Sequence, residues 1–175
     1  MSALNAGMSK TNRVKVVLWG EEGCGKTCLI KAYCESKFDA TYNPTIGVDY
    51  GLRYESVPGG RLQLNIFDLS GDGAYLPICE EFLPGAHALL LCYTAGKFSA
   101  GRMKELDSQA GCRRGAPCFK VLIACKRDLG GVDKEGPARF CQENGYVFFA
   151  ISAKEPGSVK ALFKAITDKF KQTKP

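Results

Sequence analysis

The chain holds a single histidine, His87, and none of its 9 cysteines falls in a C-x-x-C pair, so the usual ligand sets for structural zinc are missing. An odd number of scattered cysteines also argues against a disulfide scaffold and for a reducing, cytosolic compartment. No apolar run approaches the roughly 18 residues that a membrane-spanning helix needs, and the first dozen residues contain no signal-peptide core. Blocks of like charge are absent, so the formal net charge of +6 does not point to nucleic acid. Repeats and low-complexity tracts are absent too. The ending KFKQTKP offers no cysteine to prenylate and Ser2 excludes N-myristoylation of this start, so no direct lipid anchor is expected. Lysines gather at Lys160, Lys164, Lys169, Lys171 and Lys174, which reads as a solvated helix face; weak attraction to an anionic membrane is the alternative.

With 175 residues, 45% of them apolar, the chain can bury one substantial core. Residues 1–12 are small and polar and read as a disordered arm, 13–172 as one domain and 173–175 as a tail. Apolar runs recur at 14–19, 62–69, 88–93, 119–124 and 146–151. They are mostly continuous rather than alternating, as in strands covered on both faces. Between them lie helical stretches. The last, 158–171, sets Val159, Leu162, Phe163, Ile166 and Phe170 on one face. Segments 48–57 and 61–69 are joined by Pro58-Gly59-Gly60, too short for a crossover helix, so they form an antiparallel hairpin. The expected fold is α/β: a P-loop NTPase with about six strands, mainly parallel with one antiparallel edge, and helices on both faces. Ligands belong at the carboxyl ends of the strands.

The run GEEGCGKT, residues 20–27, stands between such a strand and a helical segment. Its glycines let successive amides converge on a polyphosphate, Lys26 reaches β and γ phosphates, and the Thr27 hydroxyl suits Mg²⁺. Glu22, Gly23, Cys24, Gly25, Lys26, Thr27 and Cys28 form the phosphate-binding set. Cys24 and Cys28 flank the lysine, where a helix N-terminus can lower a thiol pKa and favour oxidation. Further groups follow at the ends of later strands. In FDLSG, Asp68 can hold Mg²⁺ through water and the Gly71 amide can approach a γ-phosphate. In CKRD, at 125–128, the Asp128 carboxylate can accept from guanine N1 and N2 while the Lys126 stem packs along the ring; Cys125 and Leu129 flank them. A site built for those donors rejects adenine steeply. In SAK, the Ala153 amide can meet guanine O6, with Ser152 and Lys154 beside it. An ATP-using P-loop kinase, with Arg113 and Arg114 as lid cations, is a rival reading that leaves CKRD and SAK without purpose.

These motifs, with the threonine of NPTIG, make the chain resemble the Ras-superfamily small GTPases from Arg13 to Lys171. ICEEFLPGAHALLLCY, TIGVDYG and the phenylalanine of FDLSG resemble Rab proteins, and within them the Rab-like group called RJL. The resemblance implies a Mg²⁺-dependent GTP/GDP switch in intracellular or flagellar trafficking or signalling, acting as a monomer and recruited to membranes by partners. Thr45 then belongs to the first switch and closes on Mg²⁺ and the γ-phosphate. Phe38 lies edge-on to guanine, and residues 71–83 form the second switch. Tyr50, Phe67 and Phe82 match the three aromatic positions through which Rabs meet effectors; a plain core role for them is the alternative. Some RJL members carry a C-terminal J domain, but His87 is followed by Ala88 and Leu89, so no His-Pro-Asp motif is present.

The chain departs from the family in its catalytic group of Lys26, Thr45, Gly71 and Asp72. Asp72 stands where relatives have a water-orienting glutamine, and Glu22 stands where hydrolysing relatives carry glycine or a small residue. Both add negative charge near a negative transition state. Very slow hydrolysis is expected, and a scaffold that stays loaded with GTP is the alternative. Cys125 replaces the asparagine of the guanine motif, removing an amide that ties the base loop to the phosphate loop.

Overall fold

A computed structural model describes residues 10–41, 43–111 and 118–171. Six strands, β1 (Lys10–Gly20), β2 (Val48–Val57), β3 (Gly60–Leu69), β4 (Ala88–Thr94), β5 (Phe119–Cys125) and β6 (Val147–Ala150), form one sheet in the order β2-β3-β1-β4-β5-β6. The β2–β3 pair is antiparallel, with Val48 opposite Leu69 and Val57 opposite Gly60, and the other four pairings are parallel. Five helices, α1 (Lys26–Cys34), α2 (Leu76–Phe82), α3 (Ala100–Ala110), α4 (Glu135–Asn144) and α5 (Pro156–Lys171), cover its two faces.

Continuous apolar runs make sense once each strand's side chains are sorted by face. Leu90, Cys92, Val121 and Ile123 pack with Leu29 and Ile30 of α1 and with Val159, Leu162, Phe163 and Ile166 of α5. Their neighbours Leu89, Leu91, Leu122 and Ala124 point the other way, against Met103 and Leu106 of α3 and Phe140 of α4. Both faces are buried, so both parities must be apolar. In α5 the expected face is the buried one, with Phe170 packed at its margin. Phe163 stacks flat on Tyr33 of α1, ring centroids 3.6 Å apart, which fixes the two helices together.

The strands start and stop differently from the sequence reading at a few points. β1 begins at Lys10, because Lys10, Thr11 and Asn12 pair with Gly60, Arg61 and Leu62 of β3. Backbone ladders need no apolar side chain, so a polar trio extended the strand unseen and these three residues do not belong to an arm. Residues 1–9 and the tail at 173–175 lie outside the described residues. Gly60 opens β3, and α5 begins two residues early at Pro156, since proline suits a first helical turn.

Parallel pairing sends the carboxyl ends of β1, β3, β4, β5 and β6 to one edge of the sheet. Reversal of β2 brings its first residues there as well, and the Ser70 amide donates to Gly47 O at 2.9 Å. Loops 20–25, 43–47, 70–72, 125–129 and 151–154 therefore converge on one rim.

Candidate nucleotide site

At the rim, β1 turns into α1 through the glycine-rich loop. Gly25 takes φ 110°, a left-handed conformation that L side chains resist, and Lys26 begins the helix. No side chain caps α1 and its first turn has no acid, so its free amides face the cleft with the positive end of the helix dipole. Lys26 is 5% exposed, and its ammonium donates to Gly20 O at 3.1 Å and Glu21 O at 2.8 Å. That holds the cation beneath the loop.

Next to it, three predicted metal ligands meet. The Thr27 hydroxyl donates to Asp68 Oδ2 at 2.5 Å and lies 2.9 Å from the Thr45 hydroxyl, which is 3.4 Å from the same carboxylate oxygen. Asp68 Oδ1 is buried and has no hydrogen-bond partner among the described residues. Burial pushes the Asp68 carboxyl up, against the pull of the Thr27 hydrogen bond and Lys26. A buried carboxylate with one oxygen held by two hydroxyls and the other left without a partner, all hard oxygen donors, fits a magnesium ion.

Gly71 lies against the phosphate loop: a Cβ there would meet Glu22 N at 2.2 Å and Glu22 Cα at 2.5 Å. Asp72 follows, and its Oδ1 accepts from the Ala74 amide at 2.9 Å, capping the short 3-10 turn Gly73–Tyr75. Its carboxylate is thus engaged along its own backbone.

The opposite end of the cleft is built from β5 and β6. Asp128 accepts from the Ser152 hydroxyl at 2.7 Å and from Lys154 Nζ at 2.8 Å. The lysine first and the serine second hold its carboxyl below the usual range. Lys154 also sits 5.7 Å over the Phe38 ring, and Phe38 is 43% exposed. Lys126 adopts φ 60°, ψ 37°, stabilised by the next amide, Arg127 N, donating to Ile151 O at 3.0 Å. Arg127 pairs with Glu155, tying the two base loops.

One cleft of ≈ 360 Å³ joins these ends. Glu22, Gly23, Gly25, Lys26, Thr27, Cys28, Phe38, Thr45, Gly71, Asp72, Cys125, Lys126, Asp128, Leu129, Ser152, Ala153 and Lys154 line it. Cys24 and Asp68 stand just behind the wall, at 0% and 1% exposure. Tyr50, Phe67 and Phe82 lie apart from the cleft as a chain of rings, with centroids 5.3 Å and then 5.5 Å apart. Tyr50 is 50% exposed, whereas Phe67 and Phe82 are half-buried against the core. Lys31, Asp39 and Thr41 also line the cleft, and no motif marks them; Asn43 of NPTIG, Ser70 of FDLSG and Tyr75 of segment 71–83 line it too.

Two features correct or extend the reading of the cysteines. Burial pushes the Cys28 thiol up, and contact with Cys125 followed by burial pushes Cys24 well up; the expected lowering by the helix terminus does not prevail. Cys125, in place of an amide, touches both Cys24 of the phosphate loop and Cys92 of β4. A thiol contact therefore spans the two loops that the lost asparagine would have tied.

Residues 15–172 match the sequence profile of the Ras family. The chain belongs to the Ras family. Among curated relatives of this Ras-family small GTPase, the DnaJ homolog subfamily C member 27 of Danio rerio is 32% identical over 168 residues, covering 89% of this chain and 60% of that protein. The 27-A form of Xenopus laevis is 27% identical over 166 residues with the same coverage. Ras-related protein Rab-13 of Canis lupus familiaris is 30% identical over 160 residues, covering 87% of this chain and 77% of the relative. The chain thus spans about 60% of the length of its DnaJ-named relatives. Membership stands against the kinase reading, whose Arg113 and Arg114, like Lys174, lie outside the described residues.

Proposed function

We propose that the chain is a Rab-like guanine-nucleotide switch of the RJL group, with very slow GTP hydrolysis. The observation that carries this is the single cleft lined by Thr27 and Thr45, with Asp68 just behind them, at one end and by Asp128, Ser152 and Lys154 at the other. Similarity to proteins named as DnaJ homologues, over part of their length, supports the RJL grouping, because some members of that group carry a J domain.

In this reading Lys26 turns from the carbonyls of Gly20 and Glu21 toward β and γ phosphoryl oxygens, and the α1 amides complete the anion site. Thr27, Thr45 and Asp68 would hold magnesium, which when bound neutralises charge shared by the β and γ phosphates. Asp128 reads guanine N1 and N2 once Lys154 releases one of its oxygens and lays its stem along the base. Loss of the γ-phosphate frees Thr45 and residues 71–83, and the effector face around Tyr50, Phe67 and Phe82 changes with them. Effectors and regulators engage those switches, with the protein acting as a cytoplasmic monomer recruited to membranes or flagellum by its partners.

Slow turnover follows from Asp72. Its carboxylate caps Ala74 and carries the wrong charge for aligning water, so unassisted hydrolysis is expected at or below ~10⁻⁴ s⁻¹. The same observation favours a second reading, a scaffold that stays loaded with GTP. Denaturing the purified protein and identifying the released nucleotide by chromatography separates them: GDP indicates the working switch and GTP the stalled scaffold. Recovery of neither, with no heat on titrating GDP or GTP in the presence of magnesium, would overturn both.

A further inference from the structure

A second groove of ≈ 560 Å³ runs along α5, walled by the end of α1 and by β2. Its α5 wall is one helix face from Pro156 through Lys160, Lys164 and Thr167 to Lys171, spaced by three or four residues. At about 1.5 Å per residue the trough is roughly 22 Å long. Its floor is apolar, formed by Ala32, Val159 and the stacked Tyr33 and Phe163.

The charges along it are lopsided. Lysines and Arg53 recur down its length, while Glu55 is the one acid among its lining residues. Glu55 is already engaged, accepting from the Tyr33 hydroxyl at 2.7 Å with Arg53 at 3.7 Å. Lys164 and Lys171 share Asp168. Lys37 and Lys160, on opposite walls, have no ion-pair partner among the described residues. A compact anion would need converging cations, as in the nucleotide cleft; here they are strung out over an apolar floor. The groove is also concave, whereas a membrane surface is met by a flat or convex face.

We propose that this groove docks an extended acidic segment of a partner protein, carboxylates toward Lys37 and Lys160 and apolar side chains on the floor. About six or seven extended residues fill its length. Phe38, Ala153 and Lys154 border both this groove and the nucleotide cleft, whereas Lys37 and Lys160 line the groove alone.

The probe is a fluorescein-labelled peptide of mixed Glu and Leu, titrated by anisotropy onto the full chain, with its Gln-for-Glu counterpart and phosphatidylserine vesicles as comparisons. Binding should weaken with added salt, be lost with the Gln peptide, and fall by roughly tenfold or more in Lys37→Glu/Lys160→Glu. The charge-matched Lys97→Glu/Lys134→Glu, exposed elsewhere, should change it less than about twofold. Amide shifts of the unaltered protein on adding peptide should cluster at the end of α1 and along α5, so the site is tested even if a variant folds poorly. Equal losses in both double variants, shifts spread over the surface, absence of binding, or pelleting with vesicles in place of peptide binding would each overturn the proposal.

Discussion

Replacing Gly71 by alanine tests how tightly the second switch closes on the phosphate loop. The added Cβ would sit 2.2 Å from Glu22 N, 2.5 Å from Glu22 Cα and 2.6 Å from Glu21 C, whereas ordinary contacts begin at 3.4 Å. Relief requires a displacement of about 1.2 Å, and all three obstructing atoms are backbone. That backbone is held by the Lys26 ammonium on Gly20 O and Glu21 O, so residues 70–72 must retreat. Gly71 has no left-handed φ, so the effect is steric rather than conformational. Overpacking of this kind costs about 1–3 kcal/mol. For a chain of this size the midpoint of thermal unfolding should fall by roughly 2–12 °C. If closure belongs to the triphosphate state, affinity for a non-hydrolysable GTP analogue should drop by about 5- to 150-fold while GDP affinity changes little. Differential scanning fluorimetry and isothermal titration measure the two quantities. Gly73→Ala is the control, because a Cβ there meets nothing within 4 Å. An alanine variant that melts with the unaltered protein and binds both nucleotides equally well would refute the closed arrangement.

Other residues give independent tests. Asp128→Asn should lower GDP affinity by about a hundredfold or more and shift preference toward xanthine nucleotides, because charged hydrogen bonds of about 1.5–3 kcal/mol are lost; retained GDP selectivity in competition binding would contradict the base assignment. Lys154 and Ser152 depress the Asp128 pKa, so its contribution to nucleotide-free stability is complete above the ordinary carboxylate range and disappears as pH falls through the lowered value. Melting curves of wild type and Asp128→Asn should therefore converge below about pH 4, and a gap that widens with acid would show the sign to be wrong. Asp72→Gln should raise single-turnover GTP hydrolysis by roughly tenfold or more, and an unchanged rate would remove Asp72 as the cause of slowness. Phe163→Ala, which unstacks Tyr33, should cost about 3–5 kcal/mol and some 6–20 °C in melting temperature, and a loss under 1 kcal/mol would show that α1 and α5 are held otherwise.

Most of the fold was legible because the sheet is covered on both faces. Strands such as 88–93 must then be apolar at every position, and the absence of a polar alternation is itself the signal. The hairpin was legible from Pro58-Gly59, and its strand 48–57 agrees residue for residue. Lys10, Thr11 and Asn12 escaped because their pairing uses backbone alone. In the site, phosphate and base loops carry their chemistry in contiguous residues and could be read locally. Lining residues from the segment before β2, such as Asp39 and Thr41, enter by tertiary placement and leave no local trace.

The cysteines show where local reading reaches its limit. Cys125 reads as the loss of an amide, and Cys24 as a thiol activated by a helix terminus. Each reading follows from neighbours in sequence, and each misses the contact that decides the outcome. β4 and β5 pair in register, β1 ends beside Cys92, and the phosphate loop folds over Cys125, so three thiols from three segments meet in one buried cluster. The Cys24 thiol is pushed well up by its contact with Cys125 and then by burial, and a protonated thiol bridging Cys24 to Cys125 is a weak hydrogen-bonding tie in place of a strong one. The substitution is coherent only when both positions are considered together: an apolar Cys24 would leave Cys125 with one loop unpartnered, and an asparagine at 125 would place an amide against two buried sulfurs.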